Sequence, residues 1–462
     1  MSLRPLFVAS ALVALVLSGC SATRRGISVD DSPGSAKEQV PRTLAQTPFE
    51  VTWNLALDEP VHRAWTSPAV PELLFLQLED SRRIVAVEAL SGATRWVSQA
   101  LPEVIALEPT ITRIRLPSTQ PGVTINDDRM YVIAQDTLHV LDVRTGHLIW
   151  RYVLPFSPST GPVAVGYDSS LRVYIGDWSG RMQVVSYHQD KNFPYVVWQW
   201  PINTSVGALP VQRDALVYAG DHQGVIHSFK LDREQAWEQR IGGGIYGSPL
   251  VNDRLLLVGN TEGLLVALNR LTGESLGKLA LGSPVVRAPV AFRNEPERAY
   301  VWTGTEEGTQ SLVAIQVQPD TVAFTDTARH PMEVVRLGVA WTRPAFESLI
   351  GSTPEYLYGT ARESSLVQAL NRRSGRIDWT WDAVSLFPRS TLAHLVAYQD
   401  PRDRLRSLFA IDDEGRVVAL RFFGSVPSDR DDSQDEPARP AAPVMPTSPK
   451  AAKAAEGAAP AP

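Results

Sequence analysis

Between residues 49 and 423 the apolar positions recur in short alternating runs broken by turn residues. That period predicts β-strands joined by hairpins rather than helices. Residues 247–281 show the scheme: GSPLVN, RLLLVG, GLLVALN and ESLGKLAL read as four strands. The N-D, N-T-E-G and L-T-G segments between them carry hairpin chemistry, with glycine supplying the left-handed backbone that tight corners need.

Two patterns repeat along this region. In the first, an acidic or amide residue precedes a glycine by four positions, and a tryptophan follows four further on: Glu88, Gly92 and Trp96; Asp142, Gly146 and Trp150; Asn371, Gly375 and Trp379. Asn269 and Gly273 begin a further copy, but Gly277 stands where the tryptophan is expected. In the second, two glycines four apart precede an alternating apolar run: Gly176 and Gly180, Gly220 and Gly224, Gly259 and Gly263, Gly304 and Gly308. Asp412 to Gly415 is a degenerate copy. The second glycines lie 44, 39 and 45 residues apart.

Four antiparallel strands every 40–50 residues, about the length of a propeller blade, predict an all-β chain. The expected architecture is an eight-bladed β-propeller of four-stranded antiparallel blades, flanked by disordered termini. The units fall at 65–99, 122–155, 161–201, 207–241, 247–281, 288–325, 343–382 and 392–423, and segments 101–121 and 319–342 are expected between blades. The last unit lacks a fourth strand. FEVTWNL, beginning at Phe49 and containing Trp53, resembles the strand around Trp379 and Trp381 and is expected to close the ring by completing unit eight. Tryptophans at the blade ends, including Trp96, Trp150, Trp237 and Trp379, are expected to pack between neighbouring sheets. Trp178 and Trp302 fall outside that position, and Trp178 is the candidate for an exposed contact.

The ends have a different character. Residues 6–17 are apolar except for Ser10 and follow Arg4. This run is too short for a spanning helix, which needs about 20 residues, and fits the core of a signal peptide. It leads into Leu17-Ser18-Gly19-Cys20, which resembles the lipobox of bacterial lipoproteins. The resemblance implies a signal peptide over 1–19, cleavage before Cys20, and lipidation of Cys20. Multiple acyl chains would anchor the chain stably. Ser21 in place of aspartate implies sorting to the outer membrane. Residues 20–48 read as a lipidated flexible tether, and 424–462, rich in proline and alanine with the acidic SDRDDSQDEP, as a disordered tail.

Composition removes several function classes. Lys plus Arg number 44 and Asp plus Glu 50, for a net charge of −6 with no basic block, which argues against nucleic acid as a partner. The single cysteine excludes an internal disulfide framework and a cysteine-cluster metal site.

The turn that ends in tryptophan resembles the repeat of pyrroloquinoline-quinone-type propellers, with copies spread over some 375 residues (49–423). A lipobox followed directly by such a propeller resembles the BamB-type outer-membrane-protein assembly lipoproteins. The resemblance implies a non-catalytic scaffold on the periplasmic face of the outer membrane. It would bind the central subunit of the β-barrel assembly machine through that subunit's periplasmic repeats. The same ring could instead be an interaction or sensor subunit of another envelope complex, or an enzyme with a ligand in its channel.

Candidate chemistry is sparse. Residues 242–247 match G-x-G-x-x-G, but the following Ser248-Pro249-Leu-Val reads as a strand, whereas a dinucleotide site needs a helix N-terminus there. These residues are expected to form an inter-blade loop and, with the turn at Asp177 and Trp178, to contact a partner. His222 and His227 flank a hairpin turn and could meet across it, without further ligands for a metal. Asn203 begins a formal glycosylation sequon. A quinone dehydrogenase would, by resemblance, carry vicinal cysteines, a calcium site and a catalytic aspartate. The cysteines are missing, and the Asp and Asn residues fall at turn positions, where they cap backbone. No catalytic, metal or cofactor residue is therefore assigned.

Overall fold

A computed structural model describes residues 41–117, 124–167, 170–188, 193–202, 204–293, 295–304, 310–322, 332–361, 365–400 and 404–423. The strands lie where the alternating runs predict them. The unit at 247–281 becomes Leu250–Val251, Leu255–Gly259, Leu264–Asn269 and Ser275–Ala280, paired antiparallel in chain order.

Eight sheets arise in this way. Seven blades take consecutive segments: 61–97, 110–153, 163–201, 211–240, 250–280, 290–344 and 346–382. In blade 8, strands Leu392–Gln399, Leu405–Asp412 and Arg416–Phe422 are completed by Phe49–Ala56, which pairs antiparallel with Arg416–Phe422. The chain thus closes its own ring, as the resemblance of the Trp53 strand to a blade end predicts. The first strands of blades 7, 8 and 1, and of blades 2 to 5, contact one another, so first strands line the centre and fourth strands form the rim.

The apolar face of each sheet needs a partner face, and the ring supplies it. Eight buried clusters form, each shared by two successive blades. The joint between blades 8 and 1 is built like the others: Phe409, Ile411 and Val417 pack with Leu74, Leu76 and Val85. Burying each such side chain contributes roughly 1.5–3 kcal/mol.

The first repeat pattern stitches these joints. Gly92, Gly146, Gly273 and Gly375 have φ between +70° and +77°, which glycine adopts without strain. Each donates its N–H to the carbonyl four residues earlier, at Glu88, Asp142, Asn269 and Asn371. The indole of the preceding blade's last strand lies flat against that glycine: Trp53 on Gly92, Trp96 on Gly146, Trp237 on Gly273 and Trp341 on Gly375. Each indole Nε1 donates to the carbonyl just after the acidic or amide residue, at Ala89, Val143, Arg270 and Arg372, over 2.7–3.1 Å. The leading Asp or Asn caps the turn; Asp142, for example, accepts from the N–H groups of Arg144 and Thr145 at 2.8 and 2.9 Å. In the second pattern the first glycine makes room for the outgoing connection of its own blade: Val206 lies over Gly176, Ile245 over Gly220 and Val285 over Gly259.

Four expectations need correction. Segment 101–121 is not wholly an insertion, because Thr110–Pro117 is the first strand of blade 2. Segment 319–342 belongs largely to blade 6, where Gln310–Val322 and Met332–Pro344 form a long hairpin. Both stretches alternate apolar and polar residues, but they run past the usual blade length. In blade 6 the first strand shrinks to one bridge between Val290 and Tyr300, leaving three full strands. Ordered chain also begins before residue 49. Pro41–Arg42 pairs in parallel with Thr380 and Trp381 on the rim of blade 7, and a single 3-10 turn, Leu44–Gln46, leads to the closing strand. Two bridged residues and one turn leave no periodic signal in a sequence.

Cys20, Ser21, the segments 1–19 and 20–40, Asn203, Gly308 and the tail 424–462 lie outside the described residues.

Candidate protein-binding face

The second repeat pattern places one residue of each unit at the same surface position. In blade 3, Asp177 is buried. Its Oδ1 accepts from Ser179 Oγ and the Arg181 N–H, both at 2.8 Å, and its Oδ2 from Gln183 Nε2 at 2.7 Å. This cap holds the turn and leaves Trp178 projecting, 61% exposed. In blade 4, Asp221 does the same for the N–H groups of Gln223 and Val225, and His227 Nε2 meets its Oδ2 at 3.0 Å. His222 there occupies the position of Trp178. In blade 5, Asn260 caps the N–H groups of Glu262 and Leu264, and Thr261 takes the same place.

The loop 242–247 crosses between these turns. Gly242 and Gly243 have positive φ, Gly244 N–H donates to Thr261 Oγ1 at 2.8 Å, and Thr261 N–H returns a bond to the Gly244 carbonyl. The loop thereby turns Tyr246 back over blade 4, where its ring stacks on His222 with centroids 4.5 Å apart and planes 24° apart. His222 is pinned from its other edge by Ser205, whose Oγ lies 2.6 Å from Nδ1, and Gly207 leaves space for the ring. Trp178 follows at 6.1 Å from His222. Trp178, His222 and Tyr246 form one aromatic row across blades 3 and 4, with Tyr246 48% exposed at one end and the exposed Glu262 beside the loop. The two loops singled out from the sequence therefore converge.

Other candidates resolve differently. Residues 242–247 lead into the strand Leu250–Val251, so no helix N-terminus is present to hold a pyrophosphate. His222 and His227 turn to different partners, Tyr246 with Ser205 and Asp221 respectively. Trp302 is buried in blade 6. Among the described residues no carboxylate bonds His222, so the Ser205–His222 contact lacks the third member of a hydrolytic triad. No group of three or more His, Cys, Asp or Glu is placed to hold a metal among them. Asp142, Asp177, Asp221 and Asp412 spend oxygens on turn N–H groups and neighbouring side chains. No helix among the described residues is long and apolar enough to cross a membrane.

The sequence matches the family described as outer membrane protein assembly factor BamB over residues 47–233 and 195–337. The chain belongs to this family. The match covers the closing strand, the aromatic row and the first five blades. BamB from Moraxella catarrhalis has a similar fold, with a TM-score of 0.54 at 17% identity, over 82% of this chain and 98% of that one. The quinohemoprotein alcohol dehydrogenase of Comamonas testosteroni gives 0.52 at 10% identity, over 82% and 77%. The computationally designed protein Ika8 gives 0.50 at 12%, over 79% and 97%. At these identities the likeness is one of fold, shared by a BamB, an enzyme and a design. No curated protein sequence matches the chain.

Proposed function

We propose that this chain is a non-catalytic scaffold lipoprotein that assists assembly of β-barrel proteins into the outer membrane. It is anchored through Cys20 at the periplasmic face and offers the row Trp178, His222 and Tyr246 to the central barrel-assembly subunit. The family match across residues 47–337 carries this reading. The row supports it, because exposed aromatics on a rigid ring supply contact area at little entropic cost, the usual make-up of a binding hot spot. The acids at the turns are occupied with structure, which favours a scaffold over the quinone enzymes that share the ring.

Affinity capture of the intact lipoprotein from cross-linked envelopes tests it. Wild type should retain barrel-assembly subunits, and Trp178→Ala with Tyr246→Ala, or Glu262→Lys, should lose them without a change in melting temperature. Capture of unrelated envelope proteins would move the chain to another complex. Quinone-dependent dye reduction with one bound calcium would make it an enzyme. Equal fatty-acid labelling of wild type and Cys20→Ala would remove the lipid anchor.

A further inference from the structure

Fourth strands end each sheet at the rim and carry unpaired backbone groups, which are templates for another strand. Most rims here are guarded. Blade 1 ends in a strand of only four residues, Thr94–Val97. Blade 3 carries Pro194 and Pro201, and blade 4 the exposed Glu238 and Arg240. Blade 5 is overlaid by Val335 from blade 6, which itself places Arg336 and Arg343 on its rim strand. Blade 7 is covered by Pro41–Arg42 of the same chain.

Blade 8 ends in Phe49–Ala56, which carries the exposed Glu50. Blade 2 differs in exposing three large apolar side chains, where every other rim strand exposes at most one among the described residues. Its last strand, Leu148–Val153, exposes Leu148, Ile149 and Val153, the last by 64%. Register shows which backbone groups are free. Leu154 N–H bonds the Asp136 carbonyl, and Tyr152 faces Leu138, so the even-numbered residues point their backbone groups inward. Arg151 and Val153 therefore turn their N–H and C=O groups outward, toward the open edge. Arg151 is exposed and has no ion-pair partner among the described residues, whereas Arg144, in the turn before the strand, pairs with Asp128.

We propose that the edge of Leu148–Val153 receives an extended polypeptide strand whose side chains alternate apolar with polar and place a carboxylate near Arg151. Two observations select this occupant. The ring already accepts an extended segment on an equivalent edge, at Thr380 and Trp381 of blade 7. The open strand itself carries one charged side chain, the exposed Arg151, in a chain whose net charge is −6. Main-chain bonds supply affinity in such augmentation, and alternate side chains supply selectivity. An unfolded barrel strand has this chemistry; naming it as the natural occupant rests on the function proposed above, whereas the edge itself does not.

The probe is a fluorescent peptide of about ten residues alternating valine with aspartate or threonine, titrated against the mature protein by anisotropy. Two further peptides carry N-methyl groups on alternate backbone nitrogens, one set in each parity. Wild type should bind the parent peptide and one methylated peptide but not the other. Ile149→Lys with Val153→Lys should weaken binding by about tenfold or more at an unchanged melting temperature. Arg151→Glu should shift preference to a peptide with lysine in place of aspartate. No binding to wild type, equal binding of the two methylated peptides, or unchanged binding to the double variant overturns the proposal. Self-association of wild type that the double variant abolishes also overturns it, by assigning the edge to a second copy. Capture through Trp178 and Tyr246 is read separately, so either result can fail alone.

Discussion

The carbonyl oxygen of Val335 lies against the backbone of Gly277, in the space a side chain there would fill. Gly277 occupies the position that holds tryptophan in other blades. The joint it leaves open is filled from the far side, by the long hairpin of blade 6, whose Val317, Val335 and Leu337 join Leu257, Leu276 and Val301 in one cluster. The absent tryptophan and the overlong hairpin are one adaptation, seen from two places in the sequence.

Restoring the repeat should therefore do harm. Gly277→Trp makes blade 5 resemble its neighbours, yet it must displace the backbone at Val335. A loss of about 1–3 kcal/mol or more is expected for such overpacking, read by chemical denaturation. A stabilised variant would mean that the hairpin does not seal this joint.

At the joints that keep tryptophan, both partners matter. Trp53→Ala empties the closing joint and should cost roughly 3–5 kcal/mol. Gly92→Ala leaves the indole in place, but its Cβ would lie 2.7 Å from the Trp53 ring at a φ of +75°. The left-handed backbone alone costs such a residue roughly 1–3 kcal/mol. Because the two residues touch, the losses should not add, and a double-mutant cycle checks this.

Deleting residues 49–57 removes the strand that completes blade 8 and should lower the melting temperature far more than deleting 427–462. Thermal melts of the two truncations decide it. Similar melting of the two would mean that the ring does not depend on its closing strand.

Stability should fall on mild acidification. His139, buried in blade 2 opposite Arg151, is held down to about 4 from 6.5, by burial first and by the Arg151 charge second. The unfolded chain therefore takes up a proton that the folded ring refuses. Stability is intact above 6.5 and declines as pH drops from there toward 4. His139→Gln should flatten the dependence of melting temperature on pH in that window. Asp412 acts at lower pH. Burial works to raise its pKa, but bonds from Ser390 and Arg416 outweigh that and hold it below the ordinary carboxylate value, so its contribution is lost as acid protonates it.

Much of this was legible in the sequence because each turn carries its own chemistry. The glycines at 92, 146, 273 and 375 mark backbone that other residues adopt poorly, and the alternating runs between turns set the strands. The resemblance of the Trp53 strand to a blade end was enough to close the ring. What stayed hidden depends on contacts without a period: the bridge at Pro41–Arg42, the long hairpin that replaces a tryptophan, and the stacking of Tyr246 on His222. That last contact joins neighbouring units through a loop whose path is set by Asn260 and Thr261, residues that look like ordinary turn formers.

Ring closure also sets an order of events. Thr52 hydrogen-bonds Ala419 across 367 positions of chain. The closing strand, made near the start of synthesis, is among the last to find its partner, so it waits unpaired until nearly the whole ring has been made. A chain that stops short of Arg416–Phe422 leaves the Trp53 strand and blade 8 with open edges, prone to pair with other chains. The closing joint thus acts as a test of completeness, passed only by chains made to the end of the ring.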